Sequence, residues 1–129
     1  AGIQDVSTGG ALLALRAKTS GGSGGLKNDC LRDAGENAEI GFPAYCAGTC
    51  PVKSARDIET VGVNVPVMIG GVQILPEDLI LMDSTGAVVV PGGRIQEVLA
   101  EAAKINAREA KMEKLIRQGM SIVEARKVK

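Results

Sequence analysis

Hydrophobic and polar positions follow two regimes along this chain. Up to about residue 90 the apolar positions come in short runs broken by glycine, proline and polar turns. Beyond residue 95 they recur at helical spacing. Ala11-Leu12-Leu13-Ala14-Leu15-Arg16-Ala17-Lys18 consists largely of good helix formers behind two glycines and predicts a short helix. Thr19-Ser20-Gly21-Gly22-Ser23-Gly24-Gly25 ends it and reads as a linker-like loop, or as the place of a lost, better-formed segment. Leu26 to Leu31 predicts a short strand, Pro43-Ala44-Tyr45-Cys46-Ala47 is strand-like, and 48–60 reads as a polar loop. Val61 to Ile69 is rich in β-branched residues and predicts a strand, turned at Gly70-Gly71 into Val72-Gln73-Ile74-Leu75. After the turn Pro76-Glu77-Asp78, Leu79-Ile80-Leu81-Met82 and Ala87-Val88-Val89-Val90 read as buried strands joined by the hairpin Asp83-Ser84-Thr85-Gly86. Pro91-Gly92-Gly93 stops the sheet. Ile95, Val98, Ala102, Ile105, Met112 and Ile116 then mark one face of a long amphipathic helix. Gly119 caps it, and Ser121 with Glu124 forms the capping box of a short last helix.

With 129 residues, the chain is expected to form a single domain over 1–129, an α/β fold with a β-rich middle and a long C-terminal helix. Hydrophobic residues at 45% and charged residues at 23% exclude a disordered chain, and no apolar run is long enough to span a bilayer. Fifteen basic residues balance fifteen acidic ones, which argues against direct nucleic-acid binding by bulk electrostatics. The basic residues gathered late in the chain (Lys111, Lys114, Arg117, Arg126, Lys127, Lys129) read as a solvated face that complements the helix dipole.

Histidine and tryptophan are absent. That removes imidazole bases, histidine triads and His-ligated zinc, and leaves carboxylate, arginine, lysine, thiol and backbone chemistry. Cys30, Cys46 and Cys50 have no disulfide framework or metal-knuckle spacing, which fits a reduced, cytoplasmic protein. Cys30 and Cys46 are expected in the core and Cys50 on a loop. Met68, Met82 and Met112 read as core filler. The first residues, Ala1-Gly2-Ile3-Gln4-Asp5, carry no basic or apolar signal-peptide region, and none is expected.

The pair Arg32-Asp33 carries the most chemistry. A guanidinium offers a planar fork to a carboxylate, and an adjacent carboxylate suits a hard divalent cation. The pair follows a strand and precedes a loop in this reading. Its surroundings, Cys30-Leu31-Arg32-Asp33 and then Gly41-Phe42-Pro43-Ala44-Tyr45-Cys46-Ala47-Gly48, resemble the "RD … lPvf..G" signature of the RraA-like family. That family holds regulators of ribonuclease E activity and metal-dependent 4-hydroxy-4-methyl-2-oxoglutarate/4-carboxy-4-hydroxy-2-oxoadipate aldolases. The likeness continues through Ile58 to Val67, Gly70-Gly71-Val72, Leu75 to Asp83, Gly86 to Pro91 and the helix ending Ile116-Arg117-Gln118-Gly119, covering roughly residues 30–125.

The resemblance implies a swivelling β/β/α fold and a homo-oligomer, trimeric or hexameric, with active sites between subunits. It implies that Arg32 binds pyruvate and Asp33 binds Mg²⁺ or Mn²⁺, both catalytic. Gly10-Ala11-Leu12-Leu13 stands where the family's "GELL"-like turn holds the substrate carboxylate, so Gly10, Leu12 and Leu13 inherit substrate binding. The activity implied is a divalent-metal-dependent pyruvate aldolase with oxaloacetate decarboxylase activity, acting on a small 2-oxo acid. The alternative is a non-catalytic member that binds and regulates a ribonuclease. Three departures stand out. Ala11 occupies the place of the aldolases' proton-transferring acid; Asp5 is the nearest upstream acid, and Glu36, three residues past Asp33, is another close enough to matter. Glu77 stands where the family has glycine in its "PGD" turn. The chain also reads as a short or divergent member without the family's N-terminal helical part.

Overall fold

A computed structural model describes residues 2–54, 56 and 58–128, which divide into two compact units meeting in sequence between Pro76 and Glu77. In the first unit, helix α1 (Ala11–Thr19) begins behind Gly10, whose backbone is extended, and carries Arg16 and Lys18 in its last turn, where they suit the dipole. The glycine run is the stop of this helix. Gly21 takes a φ of +90°, and Gly22 N–H reaches back to Ala17 O at 2.9 Å. A Cβ on Gly22 would lie 2.9 Å from that same oxygen.

The expected strand 26–31 is two short ones, β1 (Gly25–Leu26) and β2 (Cys30–Leu31). They pair in parallel with β3 (Ala44–Tyr45) and β4 (Gly48–Thr49), so the polar stretch from 48 contributes a strand of its own. The segment after Asp33 is a helix, α2 (Ala34–Ile40), ended by Gly41 in the left-handed conformation. Its seven residues include Gly35 and Asn37, both poor helix formers, and so leave no helical pattern to read. The helix forms because it packs against α1 and links β2 to β3. Ala11, Ala14, Cys30, Leu31 and Phe42 are buried in this unit.

Residues 7–9 run between the two halves of this core. Ser7 bridges Cys30 on one side and Lys53 on the other, both in parallel. Ser7 N–H donates to Val52 O at 2.8 Å, Thr8 N–H to Cys30 O at 3.1 Å, and Arg32 N–H to Gly9 O at 3.0 Å. Of the strand expected over Val61–Ile69, only β5 (Val67–Ile69) forms, paired antiparallel with β6 (Val72–Ile74). Val61 is 90% exposed and Val63 nearly as open, because a β-branched run becomes a strand only where a partner ladder exists. Met68, expected in the core, is 57% exposed, while Met82 and Met112 are half-buried.

The second unit holds the antiparallel hairpin β7 (Leu79–Asp83) and β8 (Gly86–Val90), with Asp83 opposite Gly86. The Asp83 carboxylate accepts from Thr85 N–H at 2.7 Å and Gly86 N–H at 3.2 Å, which holds its pKa below the ordinary range. These strands are not fully buried as expected: the cross-strand pair Leu81 and Val88 is largely exposed, and only Val90 is buried. Glu77, in the preceding turn, has a φ of +73°. A turn of 3₁₀ helix (Gly92–Arg94) leads into α3 (Ile95–Arg117). No residue of α3 is fully buried. Val98, Ala102, Met112 and Leu115 are half-covered, and Leu99, Ile105 and Ile116 are exposed. Arg94–Glu97, Lys104–Glu101 and Arg117–Glu113 ion pairs lie along its solvated side. Gly119 ends it at a φ of +93°, and α4 (Ile122–Ala125) follows with the Ser121–Glu124 capping box in place, which lowers the Glu124 pKa. The late basic residues Lys111, Lys114, Arg117, Arg126 and Lys127 are exposed, and Lys129 lies outside the described residues. Among the described residues no helix is long and apolar enough to cross a membrane.

Candidate functional site

The Arg32-Asp33 pair leaves the end of β2 and opens α2. Backbone pairing of Arg32 with Gly9 carries the pair to the start of α1. Asp33 adopts φ 58° and ψ 39°, the left-handed region that an L-residue enters at a cost. It stands at the N-cap of α2 yet makes no side-chain cap there. Its carboxylate turns instead to α1, where Oδ2 accepts from Ala11 N–H at 3.3 Å and lies 3.5 Å from Arg32 Nε. Two segments twenty-odd residues apart are thus closed on each other by one carboxylate.

Gly10 is what permits this approach. A Cβ there would stand 2.5 Å from Asp33 Oδ2, 2.8 Å from Arg32 Nε and 3.1 Å from Arg32 Cγ. Gly10 O also takes two amides at 3.1 Å each, those of Leu13 and Ala14. Of the two amides the resemblance assigns to substrate, Leu13 N–H therefore already has an acceptor. Leu12 N–H has none among the described residues. The side chains of Leu12 and Leu13 are largely exposed.

Gly10, Leu12, Leu13 and Arg32 line one hollow of about 100 Å³, together with Ser7, Thr8, Gly9, Lys53 and Ser54. That size takes a few heavy atoms, the scale of a small acid rather than a nucleotide. The first turn of α1, Arg32 and Lys53 all line it and bring positive charge, which suits a carboxylate. Lys53 was not singled out in the sequence, where it sits inside an unpatterned polar stretch. The Ser7–Lys53 bridge and the bonds of Ser54 N–H and Oγ to Ser7 O, at 3.4 Å and 2.9 Å, bring it in. The neighbouring Lys27 is differently engaged, bonded at 3.1 Å to the buried Asp29, which also accepts from the Thr8 hydroxyl.

The Asp33 carboxylate adjoins this hollow through Arg32 and Gly10, and Asp29 reaches its edge through Thr8. Ala11 is buried and brings no acid, while Asp5 and Glu36 are exposed, Glu36 in the first turn of α2. Asp5 O accepts from the Cys50 thiol at 3.2 Å. Among the described residues no three His, Cys, Asp or Glu side chains gather as a ready-made metal cage. A single hard carboxylate beside an anion hollow fits a Mg²⁺-like ion that takes its remaining ligands from water and substrate oxygens. Cys30 is buried, and that burial, with Cys50 second, pushes its thiol pKa up and away from reactivity; Cys46 and Cys50 are half-buried.

Residues 2–89 match the family model described as RraA-like, Aldolase/RraA. A protein of Halalkalibacterium halodurans named putative 4-hydroxy-4-methyl-2-oxoglutarate aldolase is 33% identical over 84% of this chain and 51% of its own length. The chain spans about half the length of that curated relative. Among solved structures, an uncharacterized protein from Pseudomonas syringae aligns with a TM-score of 0.91 over the whole chain and 61% of its own, at 27% identity. RraAS2 of Streptomyces coelicolor, described as an unusual member of the RNase ES inhibitor RraA protein family, aligns with a TM-score of 0.73 at 34% identity, over 90% of this chain and 57% of its own. The motif order around Arg32-Asp33, the match to the family model and these shared folds establish that the chain belongs to the RraA-like (Aldolase/RraA) family.

Proposed function

We propose that this chain carries the site of a divalent-metal-dependent lyase acting on pyruvate-containing acids, as an aldolase and as an oxaloacetate decarboxylase. The observation that supports it is the shared hollow of Arg32, Lys53 and the first turn of α1, with the Asp33 carboxylate beside it. Leu12 N–H and the Arg32 guanidinium hold the substrate carboxylate, and Lys53 adds a second positive charge at the mouth. Asp33 holds Mg²⁺ or Mn²⁺. Such an ion, when bound, supplies Lewis-acid stabilisation of charge on the keto oxygen. Arg32 faces the negative charge that develops as the carbon–carbon bond breaks and its electron pair passes into the pyruvate enolate.

In retro-aldol cleavage the substrate hydroxyl must also give up its proton. The side chain at position 11 is a buried alanine methyl, so that proton passes to water. Losing a positioned base commonly costs about 10²–10⁴-fold. Oxaloacetate loses CO₂ without any hydroxyl to deprotonate, so its decarboxylation suffers less from the missing base. The test is pyruvate release from oxaloacetate in Mg²⁺ or Mn²⁺. Arg32→Ala and Asp33→Ala are expected to abolish it, and an Asp33→Ala protein with unchanged activity would refute the metal role. The exposed apolar residues Leu99, Ile105 and Ile116 of α3 support a homo-oligomer, the trimer or hexamer that the resemblance implies.

Ala11 also favours a second reading, a non-catalytic protein that docks on and regulates a ribonuclease. Capture of an RNase E-type nuclease by a protein with no metal-dependent turnover of oxaloacetate would select it.

A further inference from the structure

One buried polar side chain of the first unit plays no part in the chemistry above. Asn37 is only 3% exposed. It lies on α2 one turn after Asp33, and its carboxamide turns back toward the helix start. Nδ2 donates to Arg32 O at 3.2 Å and to Asp33 O at 3.0 Å, and the Asn37 backbone N–H adds a second bond to Asp33 O at 2.9 Å. One side chain thus ties both carbonyls of the Arg32-Asp33 pair.

The pair needs such a tie. Asp33 sits in the left-handed region, where an aspartate is commonly stabilised by hydrogen-bonding its own local backbone. Here the carboxylate bonds across to Ala11 instead, so the turn must be held from elsewhere. The arrangement has a cost at the other end of the amide: Asn37 Oδ1 is buried with no partner among the described residues. Leu31, Phe42, Pro43 and Ala44 line a hollow with Asn37, where an apolar side chain would pack without that orphan. The reverse orientation of the amide would set an oxygen against two carbonyl oxygens and is excluded by repulsion.

We infer that Asn37 is a positioning residue for the site: its carboxamide, bonded to the backbone carbonyls of Arg32 and Asp33, fixes the directions in which the guanidinium and the carboxylate leave the chain. The inference rests on the functional reading above for its consequence, but not for its geometry.

The experiment uses the full chain as wild type and as Asn37→Leu, with two readouts. The first needs no ligand: the NMR shifts of Asp33 Cα and Cβ and of Arg32 Nε. They are expected to move in Asn37→Leu, reporting loss of the left-handed turn; unchanged shifts overturn the inference. The second is the affinity for oxalate, an enolate mimic, measured by calorimetry in Mg²⁺. It is expected to fall about tenfold or more, the usual consequence of losing a group that orients a ligand-holding residue. In an Arg32→Lys background the further loss from Asn37→Leu is expected to shrink. An equal loss in both backgrounds assigns Asn37 a purely structural role and overturns the inference. Should Asn37→Leu fail to fold, Asn37→Ser keeps a donor in a smaller side chain and is read the same way, with a smaller displacement of both measures. A wild type that binds no oxalate counts against the proposed function alone, and the ligand-free shifts still decide the role of Asn37.

Discussion

Replacing Gly10 by alanine separates the integrity of the fold from the integrity of the site. The Gly10 backbone is extended, at φ −155° and ψ −174°, so an L-residue fits there without strain. As an N-cap, alanine in place of glycine costs about 0.5–1 kcal/mol. The steric consequence is concentrated on two side chains. The new methyl would stand 2.5 Å from Asp33 Oδ2 and 2.8 Å from Arg32 Nε, where ordinary contact begins near 3.4 Å. The carboxylate must retreat by about 0.9 Å and the guanidinium by about 0.6 Å. The Ala11 N–H bond to Asp33, already long at 3.3 Å, does not survive such a move, and a bond of this kind contributes about 1 kcal/mol. Both displaced groups are ends of flexible side chains, so the fold absorbs the change. The catalytic cost is larger, since a misplacement of about 1 Å commonly costs about 10²-fold in rate. The expected result is therefore a protein with a far-UV spectrum like wild type, a slightly lowered unfolding midpoint, and oxaloacetate decarboxylation reduced about 10²-fold in kcat/KM. A Gly10→Ala protein with wild-type kcat/KM would show that the approach of α1 to Arg32-Asp33 has no bearing on turnover.

Lys53→Met, which keeps the length of the stem, is expected to raise KM for oxaloacetate about tenfold with little change in kcat, because a charge at the mouth of the hollow acts on binding; an unchanged KM places Lys53 outside the site. Glu77→Gly relieves a φ of +73° and is expected to raise the urea midpoint by an amount corresponding to about 0.5 kcal/mol at constant m-value, the difference between the strain removed and the extra freedom of the unfolded glycine; a lowered midpoint contradicts the strain assignment. The Asp83 pKa is lowered in the fold by the Thr85 and Gly86 amides, so the carboxylate stabilises the hairpin above its unfolded pKa of about 3.9 and loses that effect as pH falls through the lower folded value. Asp83→Ala is expected to be less stable than wild type at pH 6, with the difference shrinking as the pH drops below about 4; a difference independent of pH removes the charge from the explanation.

Sequence alone determined the elements whose signals are local. A helix of alanine and leucine behind Gly10, a hairpin closed by Asp83 and Gly86, a 23-residue helix stopped by Gly119, and a capping box at Ser121 each arise from contacts within a few residues. Arg32-Asp33 was legible for a similar reason, since a guanidinium beside a carboxylate carries its chemistry in its composition and its neighbours carry the family's pattern. The tertiary structure decided what depends on distant partners. Val61 and Val63 have strand-like side chains but lie outside the ladder, so they stay open. Helix α2 formed on packing despite Gly35 and Asn37. The site was divided in the same way. Its anionic and cationic residues are readable one by one, but Lys53 reaches the hollow only because residues 7–9 pair on both sides, with 30–32 and with 52–54. Backbone pairing across that distance gains its free energy only after the chain has closed, so no short stretch of sequence carries its trace.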